Sequence, residues 1–179
     1  MRASQTSRMS LFTKFVQSPV GTLRLVATDD ALIALLWTDK RPDHIALPAQ
    51  LSLEGATESP NHPILVATER QLAEYFAGTR RTFDLPIDLR GTEFQRQCWE
   101  QLLAIPFGET RSYQQIANAL GNPTATRAVG AANGRNPISI IVPCHRVIGA
   151  SGSLTGFGGG MDSKSLLLAL EGSTTPSLL

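Results

Sequence analysis

The chain has 179 residues, 42% of them hydrophobic and 17% charged, enough for one large domain or two small ones that each bury a core. Sixteen Lys and Arg against fifteen Asp and Glu leave a formal net charge of +1, which excludes a histone-like polybasic protein. Composition also excludes a disordered or collagen-like chain. No uncharged apolar run approaches the roughly 18 residues that span a bilayer. The opening MRASQTSRMS lacks the apolar core of a secretory signal, and Cys98 and Cys144 make neither a disulfide framework nor a zinc cage. A metal-free protein of the cytoplasm, away from membranes, is expected.

Residues 1–10 read as a loose tail, with Met9 equally able to serve as the start. Three strands are predicted next, over 11–17, 22–28 and 31–38, joined by Ser18-Pro19-Val20-Gly21 and Asp29-Asp30 turns into an antiparallel meander. Residues 39–62, with Pro42, Pro48, Gly55 and Pro60, read as a long loop. A helix is predicted over 63–77, with Pro63 at its first position, Leu65, Leu72 and Phe76 facing inward, and Gly78 past its end. A short strand near 83–87 would rejoin the sheet. Residues 11–88 thus form a small α+β domain without obvious chemistry.

The second half reads as mainly helical. Over 92–104, Phe94, Cys98 and Leu102 repeat at helical spacing beside Trp99 and Leu103, so Cys98 reads as a small buried hydrophobe. Ser112 is placed to cap a helix through Leu120, with Ile116 and Ala117 inward. Gly121-Asn122-Pro123 turns the chain, and Thr124 can cap a second helix to about Asn133. Helix, glycine-bearing turn, helix is the outline of a helix-turn-helix, although helical hairpins that bind nothing share it. The second helix is rich in small residues that permit close approach to another surface, and Arg127 projects from it. Tight helix packing would use the same small residues but has no need of that arginine.

Residues 138–142 read as a buried apolar strand leading into Pro143-Cys144-His145-Arg146. A thiol beside a histidine and an arginine has the ingredients of a lowered pKa and a thiolate nucleophile. Neighbours on a strand point to opposite faces, so Cys144 and His145 cooperate only if the chain turns or a water bridges them. The alternative is a buried Cys beside a surface His. Glycines at 149, 152, 156 and 158–160 make a flexible loop that fits no Walker or GxGxxG pattern; they let backbone approach a planar substrate, with Phe157 as a wall. A final helix over 162–170, capped by Asp162 or Ser163, ends at Glu171. A carboxylate there opposes the helix dipole at a cost of about 0.3–1 kcal/mol, so it is either a solvated Glu or one held to orient His145.

Charge is unevenly spread. Residues 1–88 carry nine Lys and Arg against ten Asp and Glu, whereas residues 110–161 contain no acid and hold Arg111, Arg127, Arg135 and Arg146. An anion would be welcome in that window.

The run PFGETRSYQQIANALGNPTATRAVGAANGRNPISIIVPCHRVIGASGSLTGFGGG, continuing to LLLALEG, resembles the O6-alkylguanine-DNA alkyltransferases, also called methylated-DNA–protein-cysteine methyltransferases. The likeness covers residues 91–172. The resemblance implies an α+β protein: a ribonuclease-H-like N-terminal domain (11–88) with an antiparallel sheet, and a mainly helical, winged-helix-like C-terminal domain (91–172) with a helix-turn-helix, followed by a flexible tail over 173–179. It implies direct-reversal DNA repair without a cofactor. The partner is double-stranded DNA bound through its minor groove, by a monomer able to assemble cooperatively. An alkylated guanine, or O4-alkylthymine, is flipped out and gives its alkyl group irreversibly to Cys144. Family roles fall on His145 as base through a water, Glu171 as its orienter and Asn136 as support of the turn. Arg127 becomes a finger in the vacated stack, Tyr113 crowds the phosphate, and Thr124, Ala125, Ala128 and Arg135 join the DNA contact. Asn133, Val147, Phe157 and Gly158 form the base pocket. Phe157 stands where the family usually has tyrosine, and Gly158 where it often has serine. Cysteines of a zinc-bearing extension are absent from the sequence, so a stand-alone repair protein is expected rather than a fused regulator. Two other readings remain: a helix-turn-helix protein that binds damaged bases without reacting, and a cysteine hydrolase using Cys144, His145 and Glu171.

Overall fold

The computed structural model describes residues 9–39 and 47–173. Residues 1–8 of the tail expected over 1–10, and residues 174–179 of the tail expected over 173–179, lie outside the described residues. Ser173 does not belong to a loose tail: it is buried, and its N–H donates to Leu168 O at 2.9 Å.

The meander forms as the alternation predicts. Strands β1 (Phe12–Ser18), β2 (Gly21–Ala27) and β3 (Leu32–Trp37) pair antiparallel, with Ser18 opposite Gly21 at the first hairpin. Gly21 has φ +108, a conformation glycine adopts without penalty. The sheet departs from a purely antiparallel one. Residues 39–62 are not all loop, because β4 (Thr57–Glu58) adds to the outer edge of β1 in parallel, giving the order β3-β2-β1-β4. The strand expected near 83–87 reduces to one parallel bridge, Leu32 to Ile87, with Leu32 N–H on Pro86 O. A second bridge on the same edge joins Leu35 to Ile138. The far edge of β3 is thereby closed by two segments from beyond the sheet, which leaves no bare template for pairing there.

Helix α1 (Pro63–Phe76) starts at its proline and ends before Gly78, which has φ +76. It covers one face of the sheet with Leu65, Leu72 and Tyr75, while Phe76 is only half-buried. Leu51, with Leu47 and Leu53 around it, covers the other face over Val26, Ile33 and Ala34. β3 is therefore apolar on both sides, which accounts for its unbroken hydrophobic run.

In the second half, α2 (Glu93–Leu103) and α3 (Tyr113–Ala119) both open with a full capping box, Thr92 with Gln95 and Ser112 with Gln115. Cys98, Trp99 and Leu102 are buried, but Leu103 is 42% exposed and falls outside the apolar stripe. Between them β5 (Arg111–Ser112) pairs in parallel with β6 (Val147–Ile148), a two-residue ladder flanking the helical pair. Helix α4 (Thr126–Gly134) begins one residue later than expected. Thr124 does not cap it; its hydroxyl bonds Asn122 Oδ1 at 3.0 Å, and Ala125 occupies the N-cap. The start is fixed instead from α3: Gln114 accepts from Thr126 Oγ1 and donates to Pro123 O. The indole of Trp99 donates to Ala132 O at 2.8 Å and pins α4 to α2. Helix α5 (Met161–Leu170) is preceded by Gly160, with φ +83, rather than by Asp162 or Ser163, which lie within its first turn.

The halves share one core, in which Leu25, Leu35, Trp37 and Tyr75 join Trp99, Ile138, Val142 and Leu167. At its floor, Gly91 is pressed against Trp99: a Cβ there would lie 2.5 Å from the indole ring. Gly91→Ala is therefore expected to cost about 1–3 kcal/mol in urea unfolding by overpacking. Gly134→Ala, where a Cβ meets nothing within 4 Å, serves as the matched control and leaves stability unchanged or slightly raised.

Candidate active site

Residues 138–142 do not form the expected strand. The segment is a tight turn with Ile140 at φ +72, an uncommon conformation for a β-branched residue. Asn136 holds it from within: its Nδ2 donates to Val142 O at 2.8 Å, and its Oδ1 accepts from Ile138 N–H at 3.0 Å. The turn delivers the chain into a 3-10 turn, Cys144–Arg146, so three consecutive side chains fan out instead of alternating. The chain therefore turns at Cys144 and His145 instead of continuing as a strand.

Glu171, the C-cap residue of α5, reaches this turn. Its Oε1 lies 2.8 Å from His145 Nε2, and its Oε2 accepts from Arg146 Nε at 2.8 Å. Arg146 Nη2 adds a bond to Oε1 at 3.0 Å, making a bidentate pair, and Nη1 donates to Ile105 O. The Tyr75 hydroxyl, from α1, donates to Oε1 at 2.7 Å. Gly108 N–H approaches Oε2 at 3.5 Å. Burial pushes the Glu171 pKa up, but the bonds from His145, Arg146 and Tyr75 prevail and bring it to about 2. Glu171 is thus an anion that can only accept, and His145 Nε2 must carry the proton facing it. Burial is also the largest influence on His145, which is 0% exposed, and lowers its pKa from 6.5, partly against the pull of Glu171. The imidazole is neutral at rest. Its Nδ1 is buried without a partner among the described residues.

The thiol differs from expectation. Burial raises the Cys144 pKa, opposed by Asn136, Lys164 and Ser139. Arg146 is engaged by Glu171. The cation that favours the thiolate is Lys164, fully buried on α5 and donating to Val147 O at 2.6 Å and Thr155 O at 3.0 Å. Burial lowers its pKa to about 8, while Cys144 pulls it upward.

Cys144 faces a cavity of about 10 Å³, room for a single water, walled by Asn133, Asn136, Ser139, Phe157 and Gly158. Val147 is not among its walls. Asn133 Oδ1 is buried there without a partner among the described residues. Phe157 stands edge-on to Trp37, ring centroids 5.3 Å apart, and a Cβ on Gly159 would lie 2.6 Å from the same indole.

Beside this cavity, Arg127, Ala128 and Arg135 are exposed on or next to α4, with Thr124 exposed and Ala125 half-buried at its start. Of the four arginines in the acid-free window, Arg111 pairs with Glu109 and Arg146 with Glu171. Arg127 and Arg135 have no carboxylate partner among the described residues. Tyr113 is half-buried, with its hydroxyl accepting from Thr155 Oγ1 at 2.8 Å. Sequence reasoning missed Tyr75, Arg146 as a partner of Glu171, Ser139 and Lys164. The single available signal was Lys164, a lysine on an otherwise apolar helix face. Among the described residues no group of three or more His, Cys, Asp or Glu side chains could hold a metal, and no helix is long and apolar enough to cross a membrane.

The chain matches the model for the DNA-binding domain of 6-O-methylguanine DNA methyltransferase over residues 93–173, and that for its ribonuclease-like domain over residues 11–89. It is 63% identical over 167 residues to a methylated-DNA–protein-cysteine methyltransferase of Mycobacterium bovis, spanning 90% of this chain and 93% of that one. A protein of the same name from Methanosarcina acetivorans is 57% identical over 163 residues, spanning 91% and 99%. Among solved structures, Mycobacterium tuberculosis OGT in complex with DNA superposes with a TM-score of 0.79 at 47% identity, covering 91% of this chain and 92% of that chain. With both halves matched and the likeness running along nearly the whole sequence, the chain belongs to the 6-O-methylguanine DNA methyltransferase family.

Proposed function

We propose that this protein repairs DNA by taking the alkyl group of O6-alkylguanine, and of O4-alkylthymine, onto Cys144, once per molecule. The observation that carries the reading is the 2.8 Å contact between His145 Nε2 and an ionised Glu171, which leaves Nδ1 as the imidazole's open base, one residue along the turn from the thiol. Nδ1 takes the Cys144 proton through a water, and the resulting imidazolium is stabilised by Glu171. The thiolate attacks the alkyl carbon, a C–S bond forms, the C–O bond breaks, and its electron pair leaves with the base, which takes up a proton. Desolvation makes the thiolate costly and therefore reactive, and the Lys164 ammonium offsets part of that cost. A thioether is a poor leaving group, so the protein is spent. The residues need no metal or cofactor for this step.

In this reading the domains divide at 11–88 and 91–172. The small-residue face of α4, with Ala125, Ala128 and Thr124, lies in the minor groove of duplex DNA, while Arg135 meets phosphate. Arg127 fills the stack vacated by the flipped base, because a buried thiol cannot reach an alkyl carbon inside a duplex. Tyr113 crowds the neighbouring phosphate. Asn133, Phe157 and Gly158 receive the base, with backbone groups near Val147 reading its edge, and the 154–160 loop must shift from its contact with Trp37 to admit it. The protein acts as a monomer able to assemble cooperatively on DNA, in the cytoplasm, where thiols stay reduced.

Three outcomes test this. Mixed with an oligonucleotide bearing O6-methylguanine, the intact protein should gain the mass of one methyl group in exchange for a proton, mapped to Cys144 and absent in Cys144→Ala. Mass gain elsewhere, binding alone, or repeated turnover of an ester would sink the reading. Arg127→Ala should slow repair in duplex DNA at least about tenfold, while reaction with the free modified base stays near the parent rate; equal losses on both would remove the finger role. Glu171→Gln is expected to cost about 3–5 kcal/mol of stability at neutral pH, because it leaves Arg146 buried without its anion. The parent's folded Glu171 pKa is depressed, so its contribution is complete above pH 4.5 and fades as pH falls toward 2. The gap between parent and variant in urea unfolding should close over that window.

A further inference from the structure

We propose that Tyr75, on helix α1 of the N-terminal domain, is a positioning residue for alkyl transfer: its phenol sets the orientation and charge distribution of Glu171, and through Glu171 those of His145. The inference rests on the alkyl-transfer reading above and deepens it.

Tyr75 is 1% exposed and lies 96 residues from its partner, so its hydrogen bond joins the two domains inside the shared core. The ring is fixed before the hydroxyl bonds. Phe83 packs against it at 5.3 Å between centroids, and Phe107, from the α2–α3 connection, meets it edge-on at 6.2 Å. The hydroxyl donates at 2.7 Å to Oε1, the same oxygen that faces His145 Nε2. Burial, together with the charge of Glu171, raises the phenol pKa far beyond any working pH, so Tyr75 stays a neutral donor throughout. A purely structural tyrosine in this core would need only some acceptor. This one shares the carboxylate oxygen that faces the His145 ring and would stabilise its imidazolium.

The direction of its effect follows from the groups around His145. Glu171 faces it from the end of α5, Arg146 follows it in the turn, and Lys164 acts from α5; Cys144 precedes it. Of these, only Glu171 stabilises the imidazolium. Tyr75 draws part of the carboxylate's charge to itself and so moderates that stabilisation, keeping His145 neutral and ready to accept a proton. Removing the hydroxyl concentrates the charge toward His145 and Arg146, and the imidazolium form gains.

The experiment compares the parent, Tyr75→Phe and a chain carrying a ring-fluorinated tyrosine at position 75, whose phenol is a stronger donor. Two quantities are read against pH: the second-order rate of methyl transfer from duplex O6-methylguanine, and the NMR titration of the His145 ring. In Tyr75→Phe the His145 midpoint and the acid limb of the rate should both move up by roughly half a pH unit, slowing transfer on that limb about threefold. The fluorinated chain should shift both the opposite way, and it remains decisive if Tyr75→Phe does not fold. Leu72→Ala, which loosens the same helix without touching Glu171, should lower Tm and leave both quantities in place. Unmoved midpoints in the folded Tyr75 variants, or an equal shift in Leu72→Ala, would overturn the proposal. If the parent itself transfers no methyl group, the alkyl-transfer reading fails; the His145 titration, which needs no substrate, still decides whether Tyr75 sets this pair.

Discussion

The buried carboxylate of Glu171 is the constraint around which the molecule is organised. It sits at the C-terminal end of α5, where the helix dipole disfavours a negative charge by about 0.3–1 kcal/mol, and it is withdrawn from water, which costs several times more. Neither cost is met locally. It is offset by donors from three distant places: Tyr75 in the N-terminal domain, His145 and Arg146 in the 3-10 turn, and the Gly108 backbone after α2. A protonated Glu171 would leave Arg146 as a buried cation without an anion. The ionised state and the assembled site are therefore two descriptions of one condition.

Reactivity at Cys144 arises from the same economy of charge. Nothing beside the thiol is a free arginine, and its raised pKa keeps it protonated at rest. Lys164 makes deprotonation less costly without enforcing it, since its ammonium is itself held at about 8 by burial and tied to Val147 and Thr155 carbonyls. For the proposed reaction this is a useful balance. A standing thiolate would be exposed to any electrophile that reached it, whereas a thiol that yields its proton to a neutral imidazole responds when the substrate is in place.

Much of this organisation is legible in the chain because its causes are local. Thr92 with Gln95 and Ser112 with Gln115 announce helix starts within four residues, and Pro63 with Gly78 brackets α1. The PCHR run and a glutamate ending the last helix were enough to nominate Cys144, His145 and Glu171. Where the cause is remote, the sequence misleads. The 138–142 run is as apolar as a strand, yet Asn136 bonds both ends of it and bends it into a turn. Thr124 has the chemistry of a cap, but Gln114 on the preceding helix fixes the start of α4 at Thr126. Tyr75 reads as one more apolar helix residue, since its role depends on an oxygen 96 positions away. Four arginines in an acid-free window suggest four sites for an anion; two are neutralised by glutamates outside that window, Glu109 just before it and Glu171 ten residues past it, leaving Arg127 and Arg135.

The cavity at Cys144 carries the same logic into motion. About 10 Å³ admits a water and excludes a purine, so the conformation described here leaves no room for a base beside Cys144. The bar is not the rigid 3-10 turn. It is the glycine-rich loop, in which Phe157 leans on Trp37 and Gly159 lies so close to the same indole that a single methyl group would displace it. Lys164 and Tyr113 both hold that loop through Thr155, by its carbonyl and its hydroxyl. The contacts that close the site thus run through the lysine that favours the thiolate and the tyrosine at the start of α3. A ligand docking along α3 and α4 would act on Tyr113 first, and through Thr155 on the loop. The glycines allow that segment to move while Glu171, His145 and Arg146, locked to one another, stay where they are.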